Sequence, residues 1–179
     1  DHMANAQSLI TLNQTLGSRK VVYAGHSFGG LASLLAGADD HDAVGVIGLD
    51  PIDTEMSFGF LAEQVGVPVF GIFGESSPCN SEGNGLGLFS VSDNFIGLRV
   101  AEADHCDFEN PTNDICIIAC GGTNNRFSDE EIKQIIQGLF VSAAHGVLSE
   151  DSYALLNWWD HDGYYYNINY SSGIIEPIQ

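Results

Sequence analysis

One segment constrains the fold of this chain more than any other. The β-branched run Lys20-Val21-Val22-Tyr23-Ala24 leads into Gly25-His26-Ser27-Phe28-Gly29, and Gly30-Leu31-Ala32-Ser33-Leu34-Leu35-Ala36 continues as an apolar helix. A strand that turns at once into a helix lifts one serine hydroxyl out at the carboxyl edge of a parallel sheet. Glycines flank the serine because the turn is tight and the helix passes close to the strand. The letters G-x-S-x-G are common by chance, so the strand before them and the helix after them carry the signal.

The same alternation continues along the chain. Residues 4–16 place Ala6, Leu9, Ile10, Leu12 and Leu16 at roughly helical spacing, which predicts an amphipathic helix. After strand 20–25 and helix 29–37, Ala43-Val44-Gly45-Val46-Ile47-Gly48-Leu49 is a continuous apolar run ending at Asp50-Pro51, as in a strand buried on both faces. Residues 56–65 read as a short helix and 67–73 as the next buried strand, with Pro68 near its start, where a missing donor matters least. A Gly/Ser/Asn-rich loop fills 74–94, and Phe95 to Ala101 is a weaker strand. Helix 128–140 opens on a capping box, Ser128 with Glu131. Beyond residue 150 the tail with Trp158, Trp159, Tyr164, Tyr165, Tyr166 and Tyr170 predicts a last helix and a hairpin. These signals give an α/β fold with a doubly wound, mostly parallel sheet in one domain over 1–179, its aromatic carboxyl-terminal extension (150–179) packed on it.

The chain has 179 residues, 24 acidic against 5 basic, for a net charge of −19. That balance repels nucleic acid and anionic membrane surfaces, so neither is expected as a partner. No stretch reaches the roughly 18 to 20 apolar residues of a transmembrane segment. Cys79, Cys106, Cys116 and Cys120 form an even set in a loop-rich region, which favours two disulfides and an oxidising compartment, secreted or periplasmic. Three pairings are open. Metal binding competes through Cys116-x-x-x-Cys120, but Cys79 and Cys106 do not make the second tight pair that zinc favours, so no metal is expected. An exported chain needs a signal peptide, and since this sequence opens on Asp1-His2-Met3 the expectation is that the leader was removed or that the true start lies upstream.

Candidate chemistry collects where the strands end. A serine hydroxyl needs a base to take its proton, and that base needs a third group to orient it. The chain order Ser, then Asp or Glu, then His suits a sheet of this kind. Ser27 is the candidate nucleophile. His105 is the candidate base, after the last parallel strand in Glu102-Ala103-Asp104-His105-Cys106-Asp107-Phe108-Glu109. Asp50 ends the first strand after the serine turn and Glu75 the second. Asp50, held by Pro51, is the preferred acid and Glu75 the alternative. Asp53 is a candidate cap for the next helix. His26 reads as a packing residue, His41 and Asp160-His161-Asp162-Gly163 as exposed turns, and His2 and His145 have no supporting context.

With those residues placed, the chain resembles the α/β-hydrolase family. The likeness rests on Gly25-His26-Ser27-Phe28-Gly29-Gly30, Gly48-Leu49-Asp50-Pro51 and Ala103-Asp104-His105-Cys106-Asp107-Phe108-Glu109, and covers roughly residues 1–145. Gly48-Leu49-Asp50-Pro51 is similar to the acid-bearing strand end of pancreatic-type lipases and plant chlorophyllases. In most cutinase-like polyester hydrolases the acid follows the next strand, where this chain has Glu75-Ser76-Ser77. The chlorophyllase-like and polyester-hydrolase-like branch is the nearest likeness.

The resemblance implies a serine hydrolase that cleaves carboxylic esters through an acyl-enzyme, with a small-molecule or lipid-like ester as substrate and no cofactor. It implies that the backbone N–H of Phe28 serves as an oxyanion-hole donor. It also implies an absence. In the family the serine turn follows the fifth strand, and here only about 20 residues precede that strand. Strands one to four of the family, and the loop carrying a second oxyanion donor, are then missing. On that expectation the strand at 20–24 is an exposed edge, and the chain is a fragment or half of a two-chain protein that aggregates or is inactive alone. The alternative function is a non-catalytic module of the same fold.

Overall fold

The structure is a computed structural model that describes residues 2–17, 19–54, 59–122, 125–149 and 151–178. The first half alternates strictly: α1 (His2–Leu16), β1 (Val21–His26), α2 (Phe28–Asp39), β2 (Ala43–Leu49), α3 (Gly59–Ala62), β3 (Val69–Phe73), α4 (Gly85–Phe89) and β4 (Phe95–Val100). Then come α5 (Asp114–Cys120), α6 (Asp129–Ser149), α7 (Ser152–Trp159), α8 (Tyr164–Ser172) and β5 (Ile175–Ile178). The five strands form one sheet in chain order. β1 to β4 are parallel, and β5 runs antiparallel to β4, with Val100 opposite Ile175 and Gly97 opposite Ile178.

Alternation along each strand builds two cores. Val46, Val69 and Phe73 face one side and pack with Ile10 of α1 and Leu31, Leu34 and Leu35 of α2. Ile47, Phe70 and Ile72 face the other and pack with Ile132, Ile136 and Leu139 of α6 and Trp159 at the end of α7. Both faces are therefore dry, which is why β2 and β3 read as unbroken apolar runs. Helices cover both sides of a mostly parallel sheet, as a doubly wound α/β fold requires. β1 is an outermost strand of the sheet, matching the expected edge.

Several expectations change in detail. Helix 128–140 runs on to Ser149; its capping box is present, with Ser128 Oγ accepting the Glu131 N–H and Glu131 Oε2 accepting the Ser128 N–H. The helix expected over 56–65 is α3, shorter, and residues 55–58 lie outside those described. Loop 74–94 contains a 3₁₀ turn (Pro78–Gly83) and α4. Among the described residues the tail forms no hairpin. It makes α7, α8 and then one strand, because Gly173, at φ 76°, ends α8 in the left-handed region and β5 pairs with β4 instead of with the tail itself. Among the described residues no helix is long and apolar enough to cross a membrane.

Candidate functional site

The turn after β1 is as tight as its glycines suggest. A Cβ on Gly25 would stand 2.2 Å from the carbonyl carbon and oxygen of Gly29, and one on Gly30 would stand 2.7 Å from Pro51 Cβ. Ser27 itself adopts φ 58°, ψ −125°. Its N–H donates to Leu49 O at 3.0 Å, and its carbonyl accepts from Gly30 N at 3.0 Å and Ile52 N at 3.2 Å. His26 stands opposite Leu49 in the β1–β2 register, so Ser27 and Asp50 are the next residues past two neighbouring strand ends. All five non-glycine residues at positive φ among those described (Ser27, Asp50, Ser81, Glu82 and Glu102) follow β1, β2, β3 or β4 at this carboxyl edge. Each such conformation costs about 1 to 3 kcal/mol, and such strain gathers at functional sites.

Asp50 is 1% exposed and carries three donors. Gly74 N–H donates to Oδ1 at 3.0 Å, Asn80 Nδ2 stands 3.2 Å from each oxygen, and His105 Nδ1 lies 2.6 Å from Oδ2. A buried carboxylate without such partners would be costly to ionise. His105 opens a 3₁₀ turn, His105–Phe108, capped by Asp104 Oδ1, which accepts from Cys106 N at 2.7 Å and Asp107 N at 3.2 Å. With Nδ1–H donated to Asp50, a neutral His105 carries its lone pair on Nε2. Phe28 opens α2, so its N–H has no acceptor within the helix.

The structure thus brings Asp50 to His105 and sets Ser27 beside Asp50. Among the described residues no hydrogen bond joins Ser27 Oγ to His105. Glu75 stands apart: it is exposed, and its Oε1 accepts the Glu102 N–H at 3.2 Å. His26 lies closer to the site than a packing residue needs to. Its ring centroid is 4.3 Å from that of His105, it stacks on Phe108, and its Nε2 is buried without a hydrogen-bond partner. Burial pushes the His26 pKa down, and the neighbouring His105 pushes it further the same way. His2 also approaches, bonded to Thr54 Oγ1 at 2.7 Å with its ring 5.8 Å from that of Phe28.

The cysteines form two disulfides, Cys79–Cys120 and Cys106–Cys116, so their sulfurs are not metal ligands here. Asp40-His41-Asp42 and Asp160-His161-Asp162 each bring three donor atoms near one another. Their carboxylates serve the backbone: Asp40 Oδ1 accepts the Asp42 N–H, and Asp160 Oδ1 accepts the Asp162 N–H. His41, His145 and His161 are exposed. Asp53 N–H donates to Asn84 Oδ1, and the expected capping role falls on residues outside those described.

Sequence reasoning missed Asn80 and the Gly74 N–H as partners of Asp50. The one available signal for Asn80 was its place beside Cys79, which ties its turn down. No protein-family model matches the chain, and comparison with curated proteins gives no match either.

Proposed function

We propose that this chain is a serine hydrolase of the α/β-hydrolase type that cleaves carboxylic esters, with Ser27 as nucleophile, His105 as base and Asp50 as the group that orients it. The observation that carries this reading is the buried 2.6 Å contact between His105 Nδ1 and Asp50 Oδ2, at strand ends adjoining a serine held at positive φ. His105 Nε2 takes the Ser27 proton as Oγ attacks the ester carbonyl. The negative charge on the carbonyl oxygen is met by the Phe28 N–H at the positive end of the α2 dipole. His105 then protonates the departing alkoxide, leaving an acyl-Ser27 ester. Water attacks that ester with the same base, releasing the carboxylic acid and restoring Ser27. The scheme uses no cofactor. The resemblance suggests a small-molecule or lipid-like ester as substrate, and the two disulfides suit a secreted or periplasmic setting.

The second reading, a non-catalytic module of the same fold, is favoured by the lack of a Ser27–His105 hydrogen bond, although such contacts often tighten only when substrate binds. A fluorophosphonate probe separates the two. Under the hydrolase reading, folded wild-type protein takes the label, Ser27→Ala takes none, and His105→Ala and Asp50→Asn label slowly. Folded wild-type protein that takes no label would leave the non-catalytic reading standing.

A further inference from the structure

Asp50 is aimed by more than His105. Asn80 is fully buried, at 0% exposure, in the 3₁₀ turn after β3, and both ends of its carboxamide are occupied. Nδ2 stands 3.2 Å from both Asp50 oxygens and donates to Glu75 O at 2.8 Å. Oδ1 accepts from Ser77 N at 2.9 Å and Gly83 N at 3.0 Å. One end therefore closes the turn, and the other faces the carboxylate.

The turn is also anchored covalently. Cys79, beside Asn80, is bonded to Cys120; Cys106, beside His105, is bonded to Cys116. Both distal cysteines lie on the same short helix, α5, one turn apart. That helix has no buried residue, and its Ile115 and Ile118 are 79% and 87% exposed, so core packing is not what holds it. Its connections include the two disulfides, the Gly122 N–H donated to Asp104 Oδ2 just past its end, and its cap at Asn113, whose Oδ1 accepts the Cys116 N–H.

We propose that Asn80 is a positioning residue for the Asp50–His105 pair, and that α5 is a staple holding the Asn80 turn and the His105 turn in fixed relation. The inference rests on the reading of Ser27, Asp50 and His105 given above. A carboxylate paired only with an imidazole is free to rotate and shift its oxygens. Asn80 faces both oxygens, and the Gly74 N–H fixes Oδ1, so Oδ2 is left facing Nδ1. Donors of this kind also keep a buried carboxylate ionised.

The division of labour within Asn80 supplies the test. Asn80→Asp keeps an acceptor oxygen for the Ser77 and Gly83 N–H groups but replaces the donor by a second carboxylate oxygen facing Asp50. Added negative charge beside the pair favours the imidazolium, so the acidic limb of kcat/KM for p-nitrophenyl acetate should move up by about one pH unit. At pH 7, kcat should fall about 10-fold with KM unchanged, the size expected for a hydrogen bond to a charged group. The downfield proton resonance of His105 Nδ1–H, assigned by its loss in His105→Ala, should shift or vanish, and this readout needs no turnover. A folded variant with wild-type profile, kcat and resonance overturns the proposal. Wild-type protein that shows the resonance yet neither labels at Ser27 nor turns over ester overturns the catalytic reading instead. Should Asn80→Asp not fold, the Cys79→Ser/Cys120→Ser double variant frees the same turn and must shift the same resonance; an unchanged resonance there overturns the proposal.

Discussion

Two buried aspartates bracket β2, and they are held in nearly the same way. Asp40, just before the strand, is 6% exposed; its Oδ2 accepts from Tyr23 OH at 2.5 Å and Asn13 Nδ2 at 2.9 Å, and its Oδ1 accepts from Asp42 N at 3.0 Å. Asp50, just after the strand, has a backbone N–H, a carboxamide and His105. The physics of burial is common to both: a carboxylate leaves water only when donors replace it. The third partner differs. Burial pushes the Tyr23 pKa up and its bond to Asp40 pushes it further, so that proton stays in place at any ordinary pH. The partner opposite Asp50 is the imidazole of His105, the base of the proposed mechanism. The backbones differ too, with Asp40 relaxed at φ −95° and Asp50 strained at φ 40°. One aspartate fastens α1 and α2 to the sheet, while the other faces an imidazole next to a serine.

Neutralising each aspartate should therefore break different things. On the proposed hydrolase reading, Asp50→Asn puts an amide where His105 needs an acceptor and disfavours the tautomer that leaves Nε2 free, so ester turnover should fall about 10⁴-fold, with a smaller change in melting temperature. Asp40→Asn should cost about 2 to 3 kcal/mol, because one of its donors is left facing an N–H, and should leave turnover per folded molecule unchanged. Thermal melts and active-site titration of both variants separate the effects. If Asp40→Asn lost activity while fully folded, the contrast between the two ends would collapse.

The Asp50 end of this contrast was legible in the sequence, the buried Asp40 in its apparently exposed turn was not, and the illegible parts share a cause. Ser27 and Asp50 are marked by their own neighbours, a strand on one side and a helix or a proline on the other. From such signals Asp50 is preferred to Glu75 only through Pro51, since both end apolar strands. The sheet separates them spatially: β2 adjoins β1, whereas Glu75 follows β3, one strand further out, and is turned to the Glu102 N–H. Asn80 sat in a loop whose Gly, Ser and Asn content is that of any turn, and nothing local reports a contact with a residue 30 positions away. The disulfide pairing was hidden for the same reason, being set by how the turns meet α5. In the tail, tyrosine-rich sequence favours strand on intrinsic grounds, yet residues 164–172 are helical. Tyr166 and Asn169, three apart, are the buried positions of α8, so tertiary packing overrides propensity.

The Asp40 side can be probed more gently through its phenol. Tyr23→Phe removes one donor and keeps the ring in the core formed with α1 and α2. It should cost about 1 to 2 kcal/mol, less than Asp40→Asn, because two donors to Asp40 remain. Urea denaturation should show a lower midpoint with an unchanged slope. Ester turnover should not move, since Tyr23 is remote from the strand end that bears Ser27.

A third aspartate sharpens the comparison from the other direction. Asp107, in the His105 turn, is 7% exposed and accepts the Asp104 N–H at 2.9 Å, but burial pushes its pKa up to about 6, whereas hydrogen bonds hold that of Asp40 down. A carboxyl whose folded pKa lies above its unfolded value of about 4 binds its proton more tightly in the native state. Its contribution to stability is therefore complete below about pH 4 and is lost as pH rises to about 6. Asp107→Asn keeps an acceptor for Asp104 N–H and never ionises. It should match wild type at pH 4 and be more stable by roughly 1 to 2 kcal/mol at pH 7.5. Paired melts at the two pH values check this. A gain that is equal at both would assign the effect to packing instead of to the buried charge, and Asp107 would then belong with Asp40 as a satisfied anion.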